Sequence, residues 1–361
     1  MEAENTLITQ MLQSPEKIGR FSLSDWDLLI RQARSANLLA RLHFVLEKNN
    51  LINNIPQGPR LHIESAGHIA QSHRERVVWE VRCIRKAMEK TGVPIILLKG
   101  AAYTMSELPP SYGRFFTDVD ILVPKDKLEK VENTLLIHGW KPSHRNAYDQ
   151  RYYRQWMHEL PPFQHLRRKS VLDVHHTILP ETAHLHPDPE KLIGNAVSIN
   201  NQQDLKTLSP IDMILHSATH LFSDGELEHG LRDLVDLDAL LRHFTNNNPD
   251  FWKELISRAD EMELSRPLYY ALKYTSLFLK TPVPENILDS SKGQPVKPLA
   301  WLMDKLFSRG LQPDHSSCSD MFTGLARWLL YIRSHYLRMP LYLLIPHLLR
   351  KTWMRRMGEE V

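Results

Sequence analysis

At 361 residues and 42% hydrophobic, the chain can bury a full core and is expected to divide into subdomains. A formal charge of +3 neither demands nor excludes a polyanionic partner. Its two cysteines, Cys83 and Cys318, fit no CxxC or Cys/His pattern, which argues against a disulfide framework or structural zinc and is compatible with a reducing cytoplasm.

The N-terminus, Met1 to Gln10, carries no basic n-region and no apolar h-region, so no secretory signal is expected. From about Asn5 to Lys90 apolar residues recur at three and four, as in Leu28, Leu29, Ala33, Ala36 and later Val77, Val81, Ile84. Ser24-Asp25 before Trp26 predicts a helix start, and Pro56 to Pro59 a break between helical hairpins. The period then changes. Residues 93–180 predict a strand over 93–98, a helix from Ala101, a loop over 108–114, a strand over 116–123 and a helix over 125–138 stopped by Gly139. A hairpin follows, with Arg167 to Ser170 as its turn and Ser170 to Leu179 as its second strand. Helical spacing returns at Ser209-Pro210-Ile211-Asp212, where a capping hydroxyl, a first-turn proline and an acid favour a start. The expected organisation is α+β: a mixed-sheet core over 91–205 between helical regions over 1–90 and 206–361.

Chemistry concentrates in Phe116-Thr117-Asp118-Val119-Asp120-Ile121-Leu122-Val123. Alternate strand residues share a face, so Asp118 and Asp120 project side by side. Paired carboxylates on a buried sheet repel and are costly to desolvate, and a divalent metal is the usual compensation. The strand-end alternative is a solvated acid pair. If so paired, removing the Asp120 charge should leave stability level or slightly raised. Upstream, the strand 93–98 runs into Lys99-Gly100 and a helix, where free amides attract phosphate. Downstream, Val171-Leu172-Asp173-Val174-His175-His176 supplies a third acid; beside strand 116–123, Asp118, Asp120 and Asp173 converge into a ligand set for two magnesium ions.

These residues carry a resemblance. The order Leu97-Leu98-Lys99-Gly100, Tyr112-Gly113-Arg114, Thr117-Asp118-Val119-Asp120, Gly139-Trp140 and Asp173-Val174-His175 resembles an uncharacterised nucleotidyltransferase family of the DNA polymerase beta-like superfamily. The resemblance implies a polymerase-beta-like core. Asp118, Asp120 and Asp173 become metal ligands and catalytic acids, and Lys99, Gly100 and Arg114 the nucleotide-binding residues. It implies magnesium, with manganese as the substitute, a nucleoside triphosphate, and an unidentified hydroxyl-bearing acceptor. Lys99 and Gly100 stand where the wider superfamily has Gly-Ser, so phosphate binding there rests on backbone amides and the Lys99 ammonium. The missing serine supports an alternative, a degenerate member that binds nucleotide or a partner without turnover. Lys99 could also lie along the surface, and Arg114 could pair with Asp118 or Asp120 instead of a phosphate.

Three further features stay open. His216, His220, Asp233 and Asp236 could hold a second metal, or could bond the C-terminal helices to the core, with Arg232 to Asp236 an i, i+4 pair. Residues 144–169 mix Arg145, Arg151, Arg154, Arg167, Arg168 and Lys169 with Tyr148, Tyr152, Tyr153 and Trp156; this basic-aromatic hairpin suits nucleic acid, and with it a regulatory or toxin-like transferase acting on tRNA or protein. Residues 325–357 are expected to be helical with apolar faces inward and arginines outward, peripheral membrane contact being the alternative.

Overall fold

The computed structural model describes residues 6–143, 147–224, 227–246, 248 and 250–346. Among them, seven strands form one sheet: β1 (Ile95–Leu97), β2 (Asp118–Leu122), β3 (Trp140–Pro142), β4 (Phe163–His165), β5 (Val171–His175), β6 (Val197–Ile199) and β7 (Gln202–Thr207). Their order is β3-β4-β5-β2-β1-β7-β6. Parallel pairs are β2 with β5 and β1 with β7; β1 with β2, β4 with β3 and β5, and β6 with β7 run antiparallel. The sheet is therefore mixed, and the fold is α+β. The central strands are short and apolar, as fits strands covered on both faces: Ile95, Ile96, Leu97, Ile121, Leu122, Leu172 and Val174 are all buried.

Before the sheet lie helices Leu7–Gln13, Leu23–Ser35, Leu39–Lys48 and the long Gln57–Met88. The second starts two residues earlier than Ser24-Asp25 suggests. Ser22 is the cap, accepting from the Asp25 amide at 3.2 Å while Asp25 accepts from the Ser22 amide at 2.9 Å, a reciprocal box. Pro59 falls inside the first turn of Gln57–Met88 rather than in the break, where its missing N–H has no intrahelical acceptor to lose. Gly139 takes φ +90, past the end of helix Leu128–Ile137, as a stop should. A single cluster of buried apolar residues extends from Ile8 through the sheet to Leu330.

Two expectations are corrected. Ala147–Trp156 is a helix, not one arm of a basic hairpin, and the hairpin proper is confined to β4 and β5. Arg145 and the Tyr148 side chain lie outside the described residues. The C-terminal tract differs in part: helix Thr323–Arg338 forms, 341–346 is helical, and Ala326 and Leu330 pack into the core as expected, but Leu325, Trp328 and Ile332 are exposed and Arg333 turns inward. Arg333 donates to the Phe222 carbonyl at 2.7 Å and lies over the Tyr270 and Phe307 rings, while Arg327 pairs with Asp314. The final part of that expectation, residues 347–357, lies outside the described residues.

Candidate active site

The acids arrive on β2 and β5. In the parallel register Asp120 faces Asp173 directly and Asp118 faces Val171, so period-2 alternation brings Asp118, Asp120 and Asp173 to one face. Leu98 binds the sheet next to them, its amide donating to the Asp120 carbonyl at 3.0 Å. That contact carries the following residue, Lys99, to the same end of the sheet. The Lys99 ammonium sits 3.6 Å from Asp120 Oδ1. Lys99 itself adopts a left-handed φ of +42, unusual for a side chain with a Cβ.

Electrostatics separates the three acids. Burial pushes Asp120 up, but the Lys99 ammonium and the His175 hydrogen bond outweigh it and hold this carboxyl well below the usual range. Burial and the neighbouring Asp120 charge push Asp118 up. Burial, then Asp120, then Glu159 push Asp173 up to about 8. Asp173 Oδ1 is also buried with no hydrogen-bond partner. A carboxyl that stays protonated near neutrality for want of positive charge, with one oxygen left over, fits a cation-binding donor set.

Two residues that the sequence does not single out complete this face. Glu159 forms an antiparallel bridge with His175, and His158 stacks on the His175 ring at 5.1 Å. His175 Nε2 donates to Asp120 Oδ1 at 3.0 Å, and its Nδ1 lies 3.5 Å from Glu159 Oε2. Burial lowers the affinity of His175 for a proton; the Asp120 bond and the Glu159 charge raise it further, and the balance is upward. Ligand atoms of His158, Glu159 and His175 all lie within 4.8 Å of one another. From the β4–β5 register, in which Phe163 faces Leu172, His175 should face Leu160. Instead the ladder shifts by one across Pro161-Pro162, so that Leu160 bonds Val174 and Glu159 reaches His175.

Gly100 has a packing reason. A Cβ there would lie 1.9 Å from Phe116 Cδ1, so only glycine lets the Phe116 ring lie on the turn. Arg114 lies over that ring at 5.3 Å but reaches neither Asp118 nor Asp120. It pairs with Asp236, and with Asp233 at 3.2 Å, both on helix Gly230–Thr245. Arg41 adds to the same cluster, donating to the carbonyls of Pro109 and Pro110 at 2.7 and 2.8 Å and approaching Asp236 at 3.4 Å. Arg232 bonds its neighbour Asp233, not Asp236, because the buried Asp236 is taken by Arg114. The four-residue set of His216, His220, Asp233 and Asp236 is thus divided: the aspartates clamp the loop before β2. His216, buried on helix Pro210–Thr219, is held neutral by burial and by the nearby Lys99 charge.

Two of the basic residues of 144–169 are paired with acids. Arg154 makes a bidentate pair with Glu132, at 2.6 and 2.9 Å, and Arg168 another with Glu80, at 2.8 Å for both bonds, while lying over Trp140.

The family model of the uncharacterised nucleotidyltransferases matches residues 22–280. No curated protein matches the chain. The matched span runs from the capping Ser22, across all seven strands, to the end of helix Ser265–Leu279, and so takes in every residue of the acid face and its Arg114 clamp. This chain belongs to the uncharacterised nucleotidyltransferase family, and its general role is that of a nucleotidyltransferase.

Proposed function

We propose that the protein moves a nucleoside monophosphate from a nucleoside triphosphate to an acceptor hydroxyl and releases pyrophosphate. The observation that carries this reading is the direct pairing of Asp120 with Asp173, one ionised and one held protonated with an orphaned oxygen. Asp118, Asp120 and Asp173 would hold magnesium, two ions in this reading, with manganese as the substitute. When bound, the metal would neutralise triphosphate charge and lower the pKa of the acceptor hydroxyl. The polymerase-beta-like core is part of the same proposal.

The chain's own residues have separate tasks. The Lys99 ammonium, held against Asp120, offers a cation to a triphosphate oxygen, and the amides of the Lys99-Gly100 turn offer donors. His175 fixes the rotamer of Asp120, and Glu159 fixes the ring of His175. Arg114 acts by position: through Asp233 and Asp236 it fixes the loop that leads into β2. Nucleic acid as acceptor has little support, because Arg154 and Arg168 are already paired.

One observation favours a binding-only rival. Gly100 is accounted for by Phe116, so the turn's glycine needs no phosphate to explain it. Purified protein incubated with each α-labelled nucleoside triphosphate, magnesium and a cell extract as acceptor pool separates the two. Metal-dependent transfer of label supports the enzyme. Metal-dependent nucleotide binding without transfer supports the rival, and no nucleotide binding overturns both.

A further inference from the structure

The acid face has a nitrogen-bearing neighbour. Ligand atoms of His158, Glu159 and His175 lie within 4.8 Å of one another. Their backbone is held in register by the sheet. His175 ends β5, and Glu159 bridges to it. The His176 amide donates to the His158 carbonyl at 2.9 Å, and the Leu160 amide to the Val174 carbonyl at 2.9 Å, so main-chain bonds lie on either side of that bridge. His158 and His175 are buried, and the Glu159 side chain is 16% exposed, so the group meets solvent on the Glu159 side.

The spacings are those of ligands around one ion. Glu159 Oε2 lies 3.5 Å from His175 Nδ1, long for a hydrogen bond. Two ligand atoms bound at about 2.0–2.1 Å to a tetrahedral ion stand about 3.3 Å apart, and two imidazoles on such an ion have ring centres about 5 Å apart. The ring centres of His158 and His175 are 5.1 Å apart. The other nitrogen of His175 is placed as in a metal-bound histidine. Its Nε2–H donates to Asp120 Oδ1 at 3.0 Å, which fixes the tautomer and leaves Nδ1 to donate an electron pair. Two imidazole nitrogens and one carboxylate oxygen suit zinc, whereas magnesium takes oxygen ligands. The set contains no thiolate, so the lack of a cysteine pattern does not count against it.

We propose that His158, Glu159 and His175 bind zinc, His175 through Nδ1, at a site beside the carboxylate face and distinct from it. Three protein ligands leave the fourth position to water. The zinc has a positioning task. It ties the segment before β4 to the end of β5, and through the His175 Nε2–H it fixes the rotamer of Asp120. Zinc binding is measured without nucleotide, so it stands or falls apart from the transfer reaction.

The test is equilibrium dialysis of the chelator-treated full chain against zinc, with magnesium in large excess, followed by metal analysis. One zinc per chain should be retained. His158→Ala and Glu159→Gln should each weaken zinc binding on the order of a hundredfold, while Asp173→Asn should leave it in place. Cobalt(II) in place of zinc should give the intense visible bands of a four-coordinate ion, absent in His158→Ala. Glu159→Gln keeps the size of the side chain, so loss of zinc at an unchanged metal-free melting temperature separates ligation from misfolding. Zinc displaced by magnesium, or lost in Asp173→Asn and kept in Glu159→Gln, would assign the ion to the carboxylate face and overturn the proposal. Failure of the unsubstituted chain to retain zinc would overturn it as well.

Discussion

Asp120 and Asp173 face each other across two parallel strands and hold opposite protonation states, the first kept ionised by Lys99 and His175, the second kept neutral by burial and by the first. The repulsion that two adjacent acids suggest is therefore not shared equally. Asp120 has cationic partners, and the cost falls on Asp173.

That inequality separates two substitutions that look alike. Asp120→Asn leaves the Lys99 ammonium and the His175 ring without their acceptor charge, so stability at pH 7 should fall by about 1–3 kcal/mol. This reverses the level or raised stability expected from a simple repulsive pair. Asp173→Asn removes a carboxyl that folding must protonate at pH 7 and should therefore raise metal-free stability. Both should reduce transfer on the order of a hundredfold or more. Urea denaturation without metal, beside a label-transfer assay, gives both readouts; equal stability loss in the two variants would contradict the assignment.

The raised pKa of Asp173 fixes a pH dependence and its sign. In the unfolded chain this carboxyl titrates near 3.8, in the folded protein near 8. Between these values the folded state holds the proton that the unfolded state has lost, so metal-free stability should decline as pH rises from about 4 to about 8 and then level off. A divalent ion competes with that proton. Magnesium binding at pH 7 should release protons, and the thermal shift from magnesium should grow with pH across the same window. Calorimetry in buffers of different ionisation enthalpy measures the release, and Asp173→Asn should abolish it.

Gly100→Ala places a Cβ against the Phe116 ring, which must move. Loss of about 1–3 kcal/mol is expected from overpacking. Phe116→Leu in the same chain should recover part of it. Without such recovery, the turn rather than the ring would be the constraint.

Arg114 offers a direct choice between a nucleotide ligand and an internal clamp. As a clamp buried against Asp233 and Asp236, its replacement by Ala should cost about 3–5 kcal/mol, because two buried carboxylates lose their partner. As a ligand it would raise the KM for the triphosphate and leave the melting temperature alone. The first outcome is expected.

What could be read from sequence was what depends on local period. Asp118, Asp120 and Asp173 sit in apolar runs whose alternation puts them on one face once β2 and β5 are neighbours. The start at Ser209 and the stop at Gly139 followed from cap chemistry. Three features were not legible, each for a separate reason. Glu159 meets His175 only because Pro161-Pro162 shifts the hairpin by one residue, which no alternation pattern encodes. Arg114 finds its acids on a helix distant in the chain, and spacing carries no signal for such a pair. Helix Thr323–Arg338 buries Ala326 and Leu330 as its period suggests but leaves Leu325, Trp328 and Ile332 exposed, and a period alone does not say how wide the covered face is.

The clamp on Arg114 also bears on synthesis. Arg41 and Arg114 leave the ribosome first, and Asp236 follows Arg114 by about 120 residues, roughly 6–24 s of elongation at common rates. Through that interval the two guanidinium groups have no Gly230–Thr245 helix to receive them, and a buried cation without its counter-charge is unfavourable. The clamp on the loop before β2 can therefore form only after helix Gly230–Thr245 has been made.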